Sequence, residues 1–310
     1  MSETEVPRFS NQHYQLFGYQ PSILLEIFFA VAFFCTVIFH TIQIFQTRTW
    51  FFLPFVIGGY FECIGFVGRT LLADQAHDWR LGIYVMETLL LLLAPTLFAA
   101  SMYMTFTRII RLTDSQKHSL LPTQWLTKIF VSGDLISFLL QAIGGGLHAS
   151  ANTLEQEIRV DTWVIAGLII QLVTFCIFII LAVVFYARMR QAPTMTSETL
   201  NTSWKRHIVL VVTACDLILI RSIFRLVEYA SDSDGPLMEK EIFTILLDSV
   251  LMFLCMLFFN LFHPSQALNE IQITQPKFLS STKSIRDRCL PSAHSVASLE
   301  FREVRQPMVE

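Results

Sequence analysis

The chain has 310 residues, 53% of them hydrophobic and 15% charged, with a mean hydropathy of +0.53. Soluble domains carry about 25% charge, so an ordinary water-exposed surface is excluded. The net charge of −3 offers nothing to nucleic acid. The 28 Phe residues suit packing in lipid rather than a polar enzyme surface.

Residues 1–22 are polar, and no small-residue cleavage site follows a short apolar core, so no cleavable signal peptide is expected. A membrane span needs about 20 apolar residues. Seven runs meet that length: Ile23–Phe45, Phe51–Leu72, Leu81–Phe106, Leu126–Leu147, Trp163–Tyr186, His207–Tyr229 and Ile242–Phe262. The fourth is interrupted by Asp134, Gln141 and Gly144-Gly145-Gly146, the sixth by Asp216, Arg221 and Arg225. The expected fold is therefore an all-α integral membrane protein, a seven-transmembrane-helix bundle over 23–262. An extracellular segment over 1–22 precedes it, and a disordered, Ser-rich cytosolic tail over 263–310 follows it. Five cysteines, Cys35, Cys63, Cys176, Cys215 and Cys255, fall in apolar runs and Cys289 in the tail, so no disulfide is expected.

Orientation follows from the basic residues of the connections. Arg48, Arg108, Arg111, Lys117, Lys128, Arg188, Arg190, Lys205 and Arg206 share one side with six more in the tail, fifteen in all. The other side holds four: Arg8, Arg80, Arg159 and Lys240. That bias predicts an N-terminus outside and a C-terminus in the cytosol. The one glycosylation sequon, Asn201-Thr202-Ser203, then lies in a cytosolic loop and is expected to stay unmodified. In the tail, Ser280, Ser281, Ser284, Ser292, Ser295 and Ser298 are candidate phosphorylation sites, and the tail is a candidate binding region for regulators.

An ionised side chain at the bilayer centre costs at least about 2.5–3.5 kcal/mol, so buried charge carries the functional signal. The candidate cavity residues are Glu62, Arg69, Glu87, Asp134, Gln141, Gln171, Arg221, Arg225, Glu228, Glu241 and Asp248. Glu62 and Arg69 are seven residues apart, as are Asp134 and Gln141, Arg221 and Glu228, and Glu241 and Asp248; that spacing puts each pair on one helix face. The four stripes are expected to meet inside the bundle and open outward. Arg221 and Asp248 fall at similar depths and are expected to pair, and Arg225 to reach Glu228 or Glu87. Two readings of these charges coexist: ion pairs that fix helix register, and a polar cavity for an amphiphile's head group.

Pro95 is expected to kink the third helix and free a backbone carbonyl. The Gly144–Gly146 run, and Gly58 with Gly59, allow local deformation or close helix approach. No phosphate loop and no paired histidines for a metal hydrolase occur, and His40, His148 and His207 read as isolated core or interfacial residues. No cofactor is implied.

Several segments together resemble the fungal RTA-like family of lipid-translocating exporters, named for resistance to an aminocholesterol. They are Tyr19-Gln20-Pro21-Ser22, Glu62-Cys63-Ile64-Gly65-Phe66-Val67-Gly68-Arg69, Leu91-Leu92-Leu93-Ala94-Pro95 and Ala99-Ala100-Ser101-Met102-Tyr103-Met104. Further along come Asp134, Gln141-Ala142-Ile143-Gly144-Gly145-Gly146, Gly167 with Gln171, Arg221 through Tyr229, Glu241, Asp248 and His263-Pro264. The family often has Tyr where this chain has Phe66. The resemblance implies a plasma-membrane or endomembrane protein that moves, or controls the movement of, amphiphilic lipids; the missing phosphate loop and histidine pairs add the expectation of no ATP hydrolysis and no enzyme chemistry. Sphingoid long-chain bases are the usual suggestion; phospholipids, sterol-like toxins and porphyrin are alternatives. Membrane lipids are then its partners. A seven-helix lipid sensor is the competing expectation.

Overall fold

The computed structural model describes residues 22–74, 81–148, 154–199, 203–230 and 241–266. Within them every regular element is a helix: α1 (Ile23–Thr47), α2 (Leu53–Asp74), α3 (Leu81–Leu112), α4 (Thr123–His148), α5 (Leu154–Gln191), the short α6 (Met195–Thr199), α7 (Ser203–Ala230), α8 (Glu241–Thr244) and α9 (Leu251–Leu261). A single π-helical turn, Ile245–Val250, joins α8 to α9, and the three form one rod. Seven of these units are long and apolar enough to cross a membrane, making this a multi-pass membrane protein.

The helices outrun several of the apolar runs. α3 continues six residues past Phe106, and α5 begins before Trp163 and ends after Tyr186. Nothing in either flank breaks the helix, and the basic residues Arg111, Arg188 and Arg190 favour its C-terminal turn. Residues 1–21 and 267–310 lie outside the described residues, as do Asn201, Cys289 and the serines of the tail. Residues 263–265 do not begin a detached tail: His263, Pro264 and Ser265 are all buried against the bundle.

Chain neighbours pack as neighbours, α1 on α2, α2 on α3, α3 on α4, α4 on α5 and α5 on α7, and α9 closes the ring against α7 and α1. α3 also crosses to α7, so these two helices hold the middle. α1 shows how the sequence sorts inside from outside. Phe29, Phe33, Val37, His40 and Ile44 recur at helical spacing and are buried, while Leu24, Phe28, Val31 and Phe39 project outward.

The phenylalanines do more than coat the lipid face. All but two of the largest fully buried side chains are Phe; the others are Trp204 and Tyr103. Phe52, Phe55 and Phe98 stack in sequence with ring centroids 4.5 Å apart at each step. Gly58 makes the α2–α3 contact possible: a Cβ there would stand 2.8 Å from Phe98 and 2.9 Å from the Ala94 carbonyl.

Alternating connections define two ends. The first end gathers the starts of α1, α3, α5 and α8 and the ends of α2, α4 and α7. The second is basic, and its cations lie over aromatic rings: Arg108 sits 4.2 Å from the Phe51 centroid, and Lys128, Lys205 and Arg206 sit 5.5 Å from Trp125, Trp204 and Phe262. Such pairs are worth about 0.5–1 kcal/mol when exposed.

Candidate functional site

Toward the first end, five helices bring ionisable side chains together. Arg69 lies five residues before the end of α2, Glu26 three after the start of α1 and Glu87 six after the start of α3. At about 1.5 Å per residue all three fall within ~10 Å of that end. Arg69 Nε pairs with Glu26 Oε1 at 3.1 Å, and its Nη1 stands 4.0 Å from Glu87 Oε1.

The second part of the network centres on Asp248. Arg221 and Arg225, one helical turn apart on α7, converge on it from the same side, Arg221 on Oδ1 and Arg225 on Oδ2. Arg225 also pairs with Glu228 at 3.1 Å. The expected Arg221–Asp248 and Arg225–Glu228 contacts are both present, and Glu87 pairs with Arg69. Asp248 sits inside the π-helical turn. Such turns insert a residue into the ladder and are frequent at functional sites.

Arg221 makes one further contact. Its Nη2 donates to the Leu91 carbonyl at 2.8 Å. Leu91 is four residues before Pro95, which has no N–H to complete that rung of α3. The carbonyl that proline frees is taken by a guanidinium from α7.

Glu62 lies on α2 within electrostatic reach of Arg221, Asp248 and Arg225. It is 2% exposed, and its Oε1 has no hydrogen-bond partner. Glu26, Glu62, Arg69, Glu87, Arg221 and Asp248 are each at most 4% exposed. With Glu228 and Arg225 the described network holds five carboxyl groups against three guanidiniums. Buried ions are tolerated only when opposite charges and hydrogen bonds offset their desolvation. This network therefore has acceptor capacity beyond what its own cations use.

Asp134, Gln141 and Gln171 do not join it. Tyr103 on α3 donates to Asp134 Oδ2 at 2.9 Å. Gln141 Nε2 donates to Ser137 Oγ at 2.8 Å and to Gln171 Oε1 at 3.0 Å, and Ser137 donates to the Gly167 carbonyl at 2.6 Å. These partners all belong to α3, α4 and α5. The single cavity expected from four meeting stripes is corrected to two networks, because α4 turns its polar face toward α5 and α3. Glu241 opens α8, and its side chain lies outside the described residues.

Two members of these networks escape a sequence reading. Glu26 looks like a solvated acid at a helix start, and Tyr103 like one more core aromatic. Gly68, three residues before the end-facing turn of α2, was the available hint that α2 and α3 approach closely there: a Cβ on it would stand 3.3 Å from Glu87 Cβ. At the basic end, His40 Nε2 donates to the Met256 carbonyl at 3.0 Å, and the His207 Nε2 donates to the His263 carbonyl at 3.3 Å. Both are buried core residues. The His148 side chain lies outside the described residues.

The family model described as RTA1 like protein matches residues 55–271. Protein RTA1 of Saccharomyces cerevisiae is 37% identical over 213 residues, 69% of this chain and 65% of that protein, so the match spans just under two thirds of that relative. Protoporphyrin uptake protein 1 of the same yeast is 33% identical over 209 residues, 67% of each chain. Sphingoid long-chain base transporter RSB1, also from Saccharomyces cerevisiae, is 26% identical over 332 aligned positions, covering 94% of this chain and 86% of that protein. No solved structure matches. The matched region begins within α2 and includes every residue of both networks except Glu26 on α1, and the chain belongs to the RTA1-like family.

Proposed function

We propose that the protein moves amphiphilic lipids across the membrane, without ATP hydrolysis and without catalysing a covalent change, and so confers resistance to toxic lipids. The observation that carries this reading is the buried network at the first end, which holds two more carboxyl groups than guanidiniums inside a lipid-embedded bundle. Such a surplus suits a cationic head group while the acyl chain stays in lipid. A relative named for transport of a sphingoid long-chain base, a cationic amphiphile, supports this class of cargo. We place the protein in the plasma membrane with the first end outside. The basic second end, ringed by cation–aromatic pairs, suits the cytosolic face.

Reconstitution tests the reading. The purified chain in liposomes should translocate a fluorescent long-chain base with no other protein present. A chain that binds the probe but never moves it acts as a lipid sensor and refutes transport. Glu62→Gln keeps the shape of the side chain, so the protein should fold with unchanged thermal stability. Translocation should fall about tenfold or more, the effect of losing about 1.4 kcal/mol of attraction for a cationic head. Wild-type transport in a stable Glu62→Gln protein removes this residue from the site; parallel loss of stability and transport makes it a structural tie only.

A further inference from the structure

The Gly144–Gly146 run has no part in either network. A Cβ built on Gly145 or Gly146 meets nothing within 4 Å. Glycine inside a helix costs roughly 0.5–1 kcal/mol relative to alanine, and no close approach requires it at these two positions. At Gly145 the missing side chain leaves usable space. A pocket of about 40 Å³ opens between α3, α4, α5 and α7, lined by Tyr84, Thr88, Leu89, Gly145, Val164 and Tyr229. One water needs about 10–15 Å³ on this measure, so the pocket admits about three water-sized groups.

Its lining has two chemical sides. Leu89 and Val164 are apolar and suit the first methylenes of a chain. Tyr84, Thr88 and Tyr229 present hydroxyls, each from a partly exposed residue. These hydroxyls connect to the charged network. Tyr84 lies within hydrogen-bonding reach of Thr88, and Thr88 donates to Glu87 Oε2 at 3.4 Å. Glu87 faces Arg69, and Tyr229 follows Glu228, the partner of Arg225. A hydroxyl or ammonium entering the pocket meets hydroxyls with carboxyl groups behind them, and the same carboxyl groups, Glu87 and Glu228, repel a phosphate from beyond the lining.

We propose that this pocket receives the head group of the transported amphiphile, that it takes small hydroxyl-bearing heads without phosphate, and that Gly145 sets the size admitted. The inference rests on the transport reading above. The full chain in lipid nanodiscs is titrated with a tail-labelled fluorescent amino alcohol of the sphingosine type and with its 1-phosphate counterpart. Wild type should bind the unphosphorylated probe more tightly. Gly145→Leu has open space for its Cβ and extends into the pocket, and it should weaken that binding about tenfold or more. Gly146→Leu makes the same change of helix propensity one residue away from the lining and should bind as wild type. Both should be at least as thermally stable as wild type, since each replaces a helical glycine. Tyr229→Phe, which keeps the ring, should weaken binding about three- to tenfold through a lost hydrogen bond, and it tests the pocket even where Gly145→Leu fails to insert. Unchanged binding in Gly145→Leu and Tyr229→Phe, equal loss in Gly146→Leu, or preference for the phosphorylated probe overturns the pocket alone. A wild-type chain that binds neither probe overturns the transport reading and the pocket with it.

Discussion

The charged network at the first end and the neutral network between α3, α4 and α5 place polar side chains inside the same apolar bundle in opposite ways. The neutral one is built on regular helices in close approach. A Cβ on Gly167 would stand 2.7 Å from the Ser137 carbonyl, so glycine alone lets the α4 and α5 backbones meet there. Most of its hydrogen bonds join uncharged groups, which cost little to bury once paired. The charged network sits where helices are irregular, against the proline of α3 and the π-helical turn before α9. It carries more acid than its own cations use. The contrast separates a region built to hold helices together from one with polar capacity to spare.

The largest expected effect breaks the contrast if it is wrong. Asp248→Asn leaves the buried Arg221 and the part-buried Arg225 sharing one neutral amide and should destabilise the protein by roughly 3–5 kcal/mol. Asp134→Asn keeps an acceptor for the Tyr103 hydroxyl and should cost about 1 kcal/mol or less. Thermal unfolding in detergent compares them; equal losses would mean that both networks are structural to the same degree.

A smaller effect sharpens the neutral side. Gly167→Val must push α4 from α5 and should cost about 1–3 kcal/mol, the usual penalty of overpacking. Because the charged network is not touched, long-chain-base transport per folded molecule should hold. A fall in specific activity with full stability would show that the two regions are coupled.

The smallest effect lies at the basic end, remote from both. Burial, with nearby His207 second, lowers His263 from 6.5 to about 4. The folded state therefore favours its neutral form. Stability from this group is intact above about pH 6.5 and is lost as pH falls toward 4, where the unfolded chain binds a proton that the folded one resists. Melting temperature followed from pH 7.5 to 4.5 should fall less steeply in His263→Gln than in wild type. Identical slopes would show that His263 does not titrate between the two states.

Hydropathy made all seven spans legible, because lipid demands a nearly unbroken apolar run whatever the neighbours are. Depth along the helix was legible too, and it paired Arg221 with Asp248 before any contact was visible. Rotation was not. The spacing of Asp134 and Gln141 puts both on one face of α4, but which neighbour that face meets depends on how α4 turns in the ring. Their assignment to the charged cavity failed for that reason. Glu26 was hidden by position: an acid one turn into a helix reads as solvated unless the partner, Arg69, is known to reach back to it. The π-helical turn at Asp248 has no proline or glycine to announce it. The space at Gly145 was visible in sequence only as permission for something to approach, and the structure shows that nothing does.

The proline of α3 binds two distant positions into a single unit of inheritance. Arg221 can be lost without leaving a bare carbonyl only if residue 95 regains an N–H to close the rung at Leu91. Residue 95 can regain it only by competing with the guanidinium for the same oxygen. Substitutions at 95 and 221 should therefore be tolerated together and resisted singly. In descendants of this sequence the two sites, 126 residues apart in the chain, should drift as a pair, because a backbone atom belonging to neither of them is what they share.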